Sequence, residues 1–213
     1  MRRKLLSLVV LGLLAVPMYG QDAMKKDAEP SAQNKSQTKK ELLDYMQKTR
    51  KDFEKSVKGL SDAQLNFKAA PDKWSVKEVS EHIAKAESYL GDSTIKIVET
   101  TPATDDKSAM AGKEDQLVNM ITDRSKKFQA PPPLVPNGQW ATEAEILKAF
   151  NTARDKNEAF VKKTDEKVLR SHEQDGPAGK LDAHEWMLFM AGHTARHIKQ
   201  IEEVKADPNF PKS

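Results

Sequence analysis

Two histidines, His193 and His197, stand one helical turn apart on a side that is otherwise apolar. The run around them extends from Leu181 to Ala206. At about 100° per residue, Trp186, Met190, His193, His197, Ile201 and Val204 share an arc of about 80°. Such a face is expected to be core. Burying an imidazole without a partner costs on the order of 1–3 kcal/mol, so two of them on one face need a reason. A metal ion satisfies both at once, because an i, i+4 pair aims two ring nitrogens at one point. The plain alternative is a pair of core-edge histidines bonded to carbonyls or carboxylates, and the pair alone does not choose between the two.

The elements that must carry such a pair are helical throughout. Leu42, Leu43, Met46, Phe53 and Val57 form a helical stripe over 39–58, with Gly59 as a stop and Ser61-Asp62 able to open a further turn. A second helix is expected from Ser75, whose side chain and Glu78 make a capping box, to about Thr100, before Pro102. Val76, Val79, Ile83, Ala86, Tyr89 and Leu90 line its apolar side. His82 lies at the edge of that side, within about 60° of Val79 and 40° of Ala86. Residues 101–140 connect onward, with one helix expected over 113–128. Three consecutive prolines, Pro131 to Pro133, bar a helix there and favour an extended, stiff crossover, with a polyproline ligand as the alternative. A third helix opens at Thr142, capped with Glu145, and is expected to reach about Leu169. The segment 172–179 reads as a loop, and the fourth helix covers 181–206. No alternating strand pattern is visible. The expectation is an all-α domain over 39–213: a four-helix bundle with a long crossover between helices two and three.

The chain ends limit the function classes. Met1-Arg2-Arg3-Lys4 followed by the apolar run Leu5 to Val16 has the form of a secretory signal peptide over 1–20, too short for an ordinary membrane span of about 20 apolar residues. An uncleaved anchor is the alternative. With no cysteine in the chain, a lipoprotein anchor, thiol catalysis and thiolate ligands are all excluded. Residues 21–38 are polar and of low complexity, as expected of a disordered linker. The chain has 35 Lys+Arg and 32 Asp+Glu; removing Arg2, Arg3 and Lys4 with the leader leaves 32 against 32. A neutral mature chain gives no warrant for nucleic-acid binding, and none is expected. The expected location is periplasmic or secreted, with no membrane attachment once the signal is cleaved.

Of five histidines, His172 falls in the expected loop, and His184 is about 180° from His193 on the same helix. Both read as surface or cap residues. His82, His193 and His197 remain, on the core sides of two helices. The run Trp74 to His82 (Trp-Ser-Val-Lys-Glu-Val-Ser-Glu-His) resembles the Trp-Ser…Glu…His motif of the DinB-like superfamily. The approach Gly59 to Phe67 resembles that family's entry to helix two. His193-Thr-Ala-Arg196-His197-Ile-Lys-Gln200-Ile201 is similar to its closing His-x-x-Arg-His-x-x-Gln-Ile pattern. The resemblance implies a four-helix bundle, often a homodimer, and a divalent metal, commonly nickel or zinc, held by one histidine on helix two and two on the last helix. The matching positions are His82, His193 and His197. Three imidazoles leave coordination positions for water or a small-molecule substrate, and imidazole suits several divalent ions. Glu78 reads as the helix cap rather than a neighbour of the site. Arg196, about 60° from His193, reads either as a contact for an anionic substrate or as a solvated helix arginine.

Two functions follow. The first is an exported metal-dependent hydrolase or transferase, with no general base evident beyond a metal-bound water. The second is a non-catalytic metal-binding or interaction module. Export counts against a transferase using low-molecular-weight thiols, which are mainly cytoplasmic.

Overall fold

The structure, a computed structural model, describes residues 36–212. The expected signal peptide and all of the expected linker before residue 36 lie outside the described residues. Seven helices and one small hairpin follow in order. They are α1 (Lys39–Val57), α2 (Asp62–Asn66), α3 (Val76–Thr100), α4 (Glu114–Thr122), a 3-10 turn (Pro132–Leu134), α5 (Glu143–Lys163), α6 (Glu166–Ser171), β1 (Glu173–Gly176), β2 (Gly179–Asp182) and α7 (Ala183–Lys205). The four long helices α1, α3, α5 and α7 make the bundle, and no helix among the described residues is long and apolar enough to cross a membrane.

Helix starts are written locally. Thr38/Glu41, Ser61/Gln64, Ser75/Glu78, Thr142/Glu145 and Asp182/Glu185 each form a reciprocal capping box. Two orphan backbone N–H groups are satisfied in each. Glu78 is the cap that the sequence indicates: its carboxylate accepts from Ser75 N at 2.8 Å and from Lys68 Nζ at 2.7 Å.

Several expectations are corrected. The third long helix stops at Lys163 rather than about Leu169, because Asp165 caps a new helix by accepting from Lys167 N. The helix expected over 113–128 ends at Thr122. The proline run does enter a helix, one 3-10 turn at Pro132–Leu134. A proline's fixed φ suits a first turn, where its missing N–H is not needed. Residues 173–182 form an antiparallel hairpin rather than a plain loop, with Glu173 opposite Asp182 and Gly179 supplying a φ of 92° at the turn.

Helix directions follow from the contacts between them. Glu87 of α3 meets Arg154 of α5, and further along Gly91 meets Asn157, so these two helices run the same way. Asn157 also meets Met190 of α7, while Arg154 meets Thr194, so α7 runs opposite to both. Phe53 of α1 packs edge-on to Phe150 of α5 at 4.8 Å, while Met46 and Thr49 meet Arg154, so α1 is antiparallel to α5. Residues 101–142 lie between the parallel pair and carry α4 and the 3-10 turn.

The apolar core falls into two clusters. One gathers Leu42, Met46, Leu117, Leu169, Leu181 and Leu188; the other gathers Phe53, Val76, Ile83, Ile146, Phe150 and Ile201. Between them lies a buried polar layer. Arg154, fully buried, forms a bidentate pair with Glu87 (Nε–Oε1 2.7 Å, Nη2–Oε2 2.8 Å) and donates to the Met46 carbonyl, Thr49 Oγ1 and Thr194 Oγ1. One guanidinium thus ties all four long helices together. Asn157 extends the layer, donating to Glu87 O and Oε1.

Gly91 is small because of that layer. A Cβ there would sit 2.1 Å from Asn157 Oδ1 and 2.5 Å from its Cγ, with the amide held in place. Overpacking typically costs about 1–3 kcal/mol, and the helix-propensity gain of Gly→Ala is at most about 1 kcal/mol. Gly91→Ala is therefore expected to lower the urea midpoint, and a variant as stable as wild type would show that Asn157 can yield.

Candidate metal centre

His82 sits in the second turn of α3, and His193 and His197 sit on α7, which packs against α3, α1, α4, α6 and β2. Because α3 and α7 are antiparallel, the early part of one faces the later part of the other, which is how residues 111 positions apart meet. The three Nε2 atoms form a near-equilateral triangle: 3.3 Å from His82 to His193, 3.2 Å from His82 to His197 and 3.1 Å from His193 to His197. His82 and His197 are buried, while His193 retains partial exposure. Trp74 packs against the His82 ring with 5.0 Å between centroids, the planes tilted by 49°.

The outer ring nitrogens decide what points inward. His82 Nδ1 lies 2.8 Å from the Leu134 carbonyl, which can only accept, so this nitrogen carries the proton. In the neutral ring, Nε2 then presents a bare lone pair to the centre. His197 Nδ1 lies 2.8 Å from Gln200 Oε1, and with the amide oxygen in that place it is protonated in the same sense. Burial, opposed by the Leu134 bond and reinforced by Lys85, holds His82 below the ordinary histidine range. Burial and then the other two rings and Arg196 hold His193 well below it. Burial and then His82 bring His197 to about 3. All three are therefore neutral at pH 7, the form that binds metals.

The bare lone pairs of His82 and His197 face one another at 3.2 Å and repel unless something positive lies between them. Two imidazole nitrogens bound to one ion at about 2.0–2.1 Å, with roughly 90–110° between them, are about 2.8–3.4 Å apart. The observed triangle lies in that range, and these three residues are the group of potential ligands found among the described residues. The donor set fits a divalent ion.

The proline-rich segment contributes to this arrangement. Its 3-10 turn presents the Leu134 carbonyl to His82, and the loop after it is anchored on α3. Glu81 accepts from the backbone N–H groups of Asn137, Gly138 and Gln139 at 2.9, 3.0 and 3.2 Å, and Lys85 donates to Val135 O at 2.9 Å. Burial pushes the Glu81 carboxyl up, but these bonds and Lys85 outweigh it and hold the group below its ordinary range.

Two other residues stand differently from their sequence reading. Arg196 is not a solvated helix arginine. It is buried, donates to the carbonyls of Ile121, Asp123 and Lys126, and lies over Phe128 at 5.4 Å. His184 is not a surface residue but fully buried, with Nε2 at 3.1 Å from Gln37 Oε1, and burial lowers its pKa to about 3. The reading failed because α7 is enclosed on several sides, so the face opposite His193 is core as well. His172 is partly buried and bonds Thr101 O at 3.0 Å. The residues that sequence reasoning missed are the outer partners, Gln200 and the Leu134 carbonyl. Gln200 carried a signal, being i+3 from His197; a carbonyl presented by a loop leaves none.

Fold and site together define a helical bundle with an inward-facing histidine triad shared between its second and last long helices. The chain belongs to the DinB superfamily, whose defining sequence pattern matches residues 45–201. It is 24% identical over 149 residues to the uncharacterized protein YuaE of Bacillus subtilis (strain 168), covering 70% of this chain and 88% of that protein. Among solved structures it is similar to YfiT from Bacillus subtilis, described as "a probable metal-dependent hydrolase with an unusual four-helix bundle topology". That likeness has a TM-score of 0.51 at 12% identity, over 81% of this chain and 89% of that one. At this identity it shows the fold.

Proposed function

We propose that His82, His193 and His197 hold one divalent metal ion, zinc or nickel, and that the protein is an exported metal-dependent hydrolase acting on a small molecule. The observation that carries the reading is the triangle of Nε2 atoms, two of which are turned inward as bare lone pairs by their outer partners. A bound divalent ion supplies Lewis acidity, lowering the pKa of a water and polarising a carbonyl or phosphoryl group. The chain's residues do the rest. Leu134 O and Gln200 orient two ligands, Trp74 packs against the His82 ring, and the partial exposure of His193 leaves an approach for substrate. Three protein ligands with further positions open is the catalytic rather than the structural pattern.

Hydrolysis is favoured over transfer by the description of YfiT and by the proposed export, which separates the protein from cytoplasmic thiols. Export itself rests on the sequence of residues 1–20. All three ligands come from one chain, so the homodimer that the family resemblance implies is not required to assemble the site.

The test is turnover of a panel of esters, amides and thiol adducts by zinc-loaded, nickel-loaded and chelator-treated protein. Hydrolysis is expected only in a loaded form. Exchange at the thiol adducts alone would make the protein a transferase, and no turnover by loaded protein would leave a metal-binding module.

A further inference from the structure

Beyond the three ligands, the structure assigns a positioning role to Arg124: it locks the side-chain amide of Gln200 so that His197 can only present a bare Nε2 to the centre. The role in metal binding rests on the proposal that the triad holds an ion; the lock itself does not.

A glutamine amide has nearly the same shape either way round, but its two ends are opposite in chemistry. With the oxygen toward His197 Nδ1, that nitrogen must carry the proton and Nε2 is free. With the NH2 end there, Nδ1 must accept, the proton moves to Nε2, and the ligand lone pair is gone. The distance of 2.8 Å between His197 Nδ1 and Gln200 Oε1 does not by itself choose between the two. Arg124 chooses. A guanidinium has only donors, and Arg124 Nη1 lies 3.3 Å from the same Oε1. A flipped amide would set NH2 against guanidinium. Arg124 is in turn held by Glu203, with Nε–Oε1 3.1 Å and Nη2–Oε2 2.7 Å.

The segment bearing Arg124 is fastened by residues flanking His197. Arg196 donates to the carbonyls of Ile121, Asp123 and Lys126, and Lys199 Nζ donates to Thr122 O at 3.0 Å. Two cations of α7 thus hold the end of α4 in place, and Arg124, two residues past that end, sets the tautomer of the ligand between them. Outer partners of ligating histidines commonly contribute 10–100-fold to metal affinity.

The experiment uses four variants, Arg124→Leu, Gln200→Leu, Gln200→Glu and the double variant Arg124→Leu/Gln200→Glu. Two readouts are taken: zinc affinity by competition with a chromophoric chelator, and the His197 tautomer by long-range 15N–1H NMR of the metal-free protein. R124L and Q200L are expected to bind zinc roughly 10–100-fold more weakly, with R124L showing His197 protonated at Nε2 in part. Q200E accepts at both oxygens and cannot flip, so it is expected near wild type, and it should restore the double variant to within a few-fold of wild type. A general loss of packing would not be rescued in this way. R124L with unchanged tautomer and affinity, or a double variant as weak as R124L, would overturn the lock. Should wild type itself bind no zinc, the metal proposal fails, and the tautomer in R124L decides the lock on its own.

Discussion

Arg154→Ala is expected to destabilise the domain by about 3–5 kcal/mol, the usual cost of removing one partner of a buried ion pair. Glu87 would be left fully buried as an uncompensated carboxylate, and Thr49, Thr194 and the Met46 carbonyl would each lose a donor. Lost contact with the Phe150 ring, 5.0 Å away, adds to this. Domains of this size are stable by about 5–15 kcal/mol, so the loss is a large fraction of the total. Arg154→Met/Glu87→Leu removes both charges and keeps most of the volume, and it is expected to recover a substantial part of the loss. Urea unfolding followed by circular dichroism measures both. A loss below about 1 kcal/mol for R154A would mean that water reaches Glu87 and that the layer is not a dry core.

The second large effect is thermal stabilisation by zinc. An ion that binds only the folded state, at about a thousandfold excess over its Kd, adds about 4 kcal/mol. For a domain of roughly 150–250 residues each kcal/mol moves Tm by about 2–4 °C, so a rise of roughly 8–16 °C is expected. His193→Ala should abolish most of that rise. Without metal the same variant should lie within about 1 kcal/mol of wild type, because the ring is partly exposed. If the triad were merely packed, the pattern would invert: H193A would cost stability in metal-free protein, and zinc would shift neither form.

Local signals were legible in the sequence. The capping boxes at Ser75 and Thr142 start α3 and α5 where expected, and the apolar stripe from Leu42 to Val57 is α1. His82, His193 and His197 stood out because an imidazole on an apolar face needs a partner, and the structure brings all three together. What was not legible depends on several elements meeting. Arg154 and Glu87 read as ordinary helix-surface charges until four helices close around them. A single amphipathic face for α7 puts His184 outside the core, but the helix is buried on several sides. The Leu134 carbonyl becomes a partner of His82 only when the proline-rich segment docks on α3, a contact between residues 52 positions apart. The sequence leaves Arg196 as a substrate contact or a solvated helix arginine, and only the folded chain shows that the end of α4 and the segment after it supply three carbonyls for it. The break at Thr164-Asp165 is a different kind of miss: a capping signal that stood in the sequence and was overridden by the continuing apolar pattern.

The central claim is that the triad holds an ion, and elemental analysis of protein purified without chelator or affinity tag tests it most directly. The account predicts near-stoichiometric zinc or nickel, lost in H193A. Protein that carries no divalent metal as purified, and takes up none after soaking with zinc and with nickel, would contradict it.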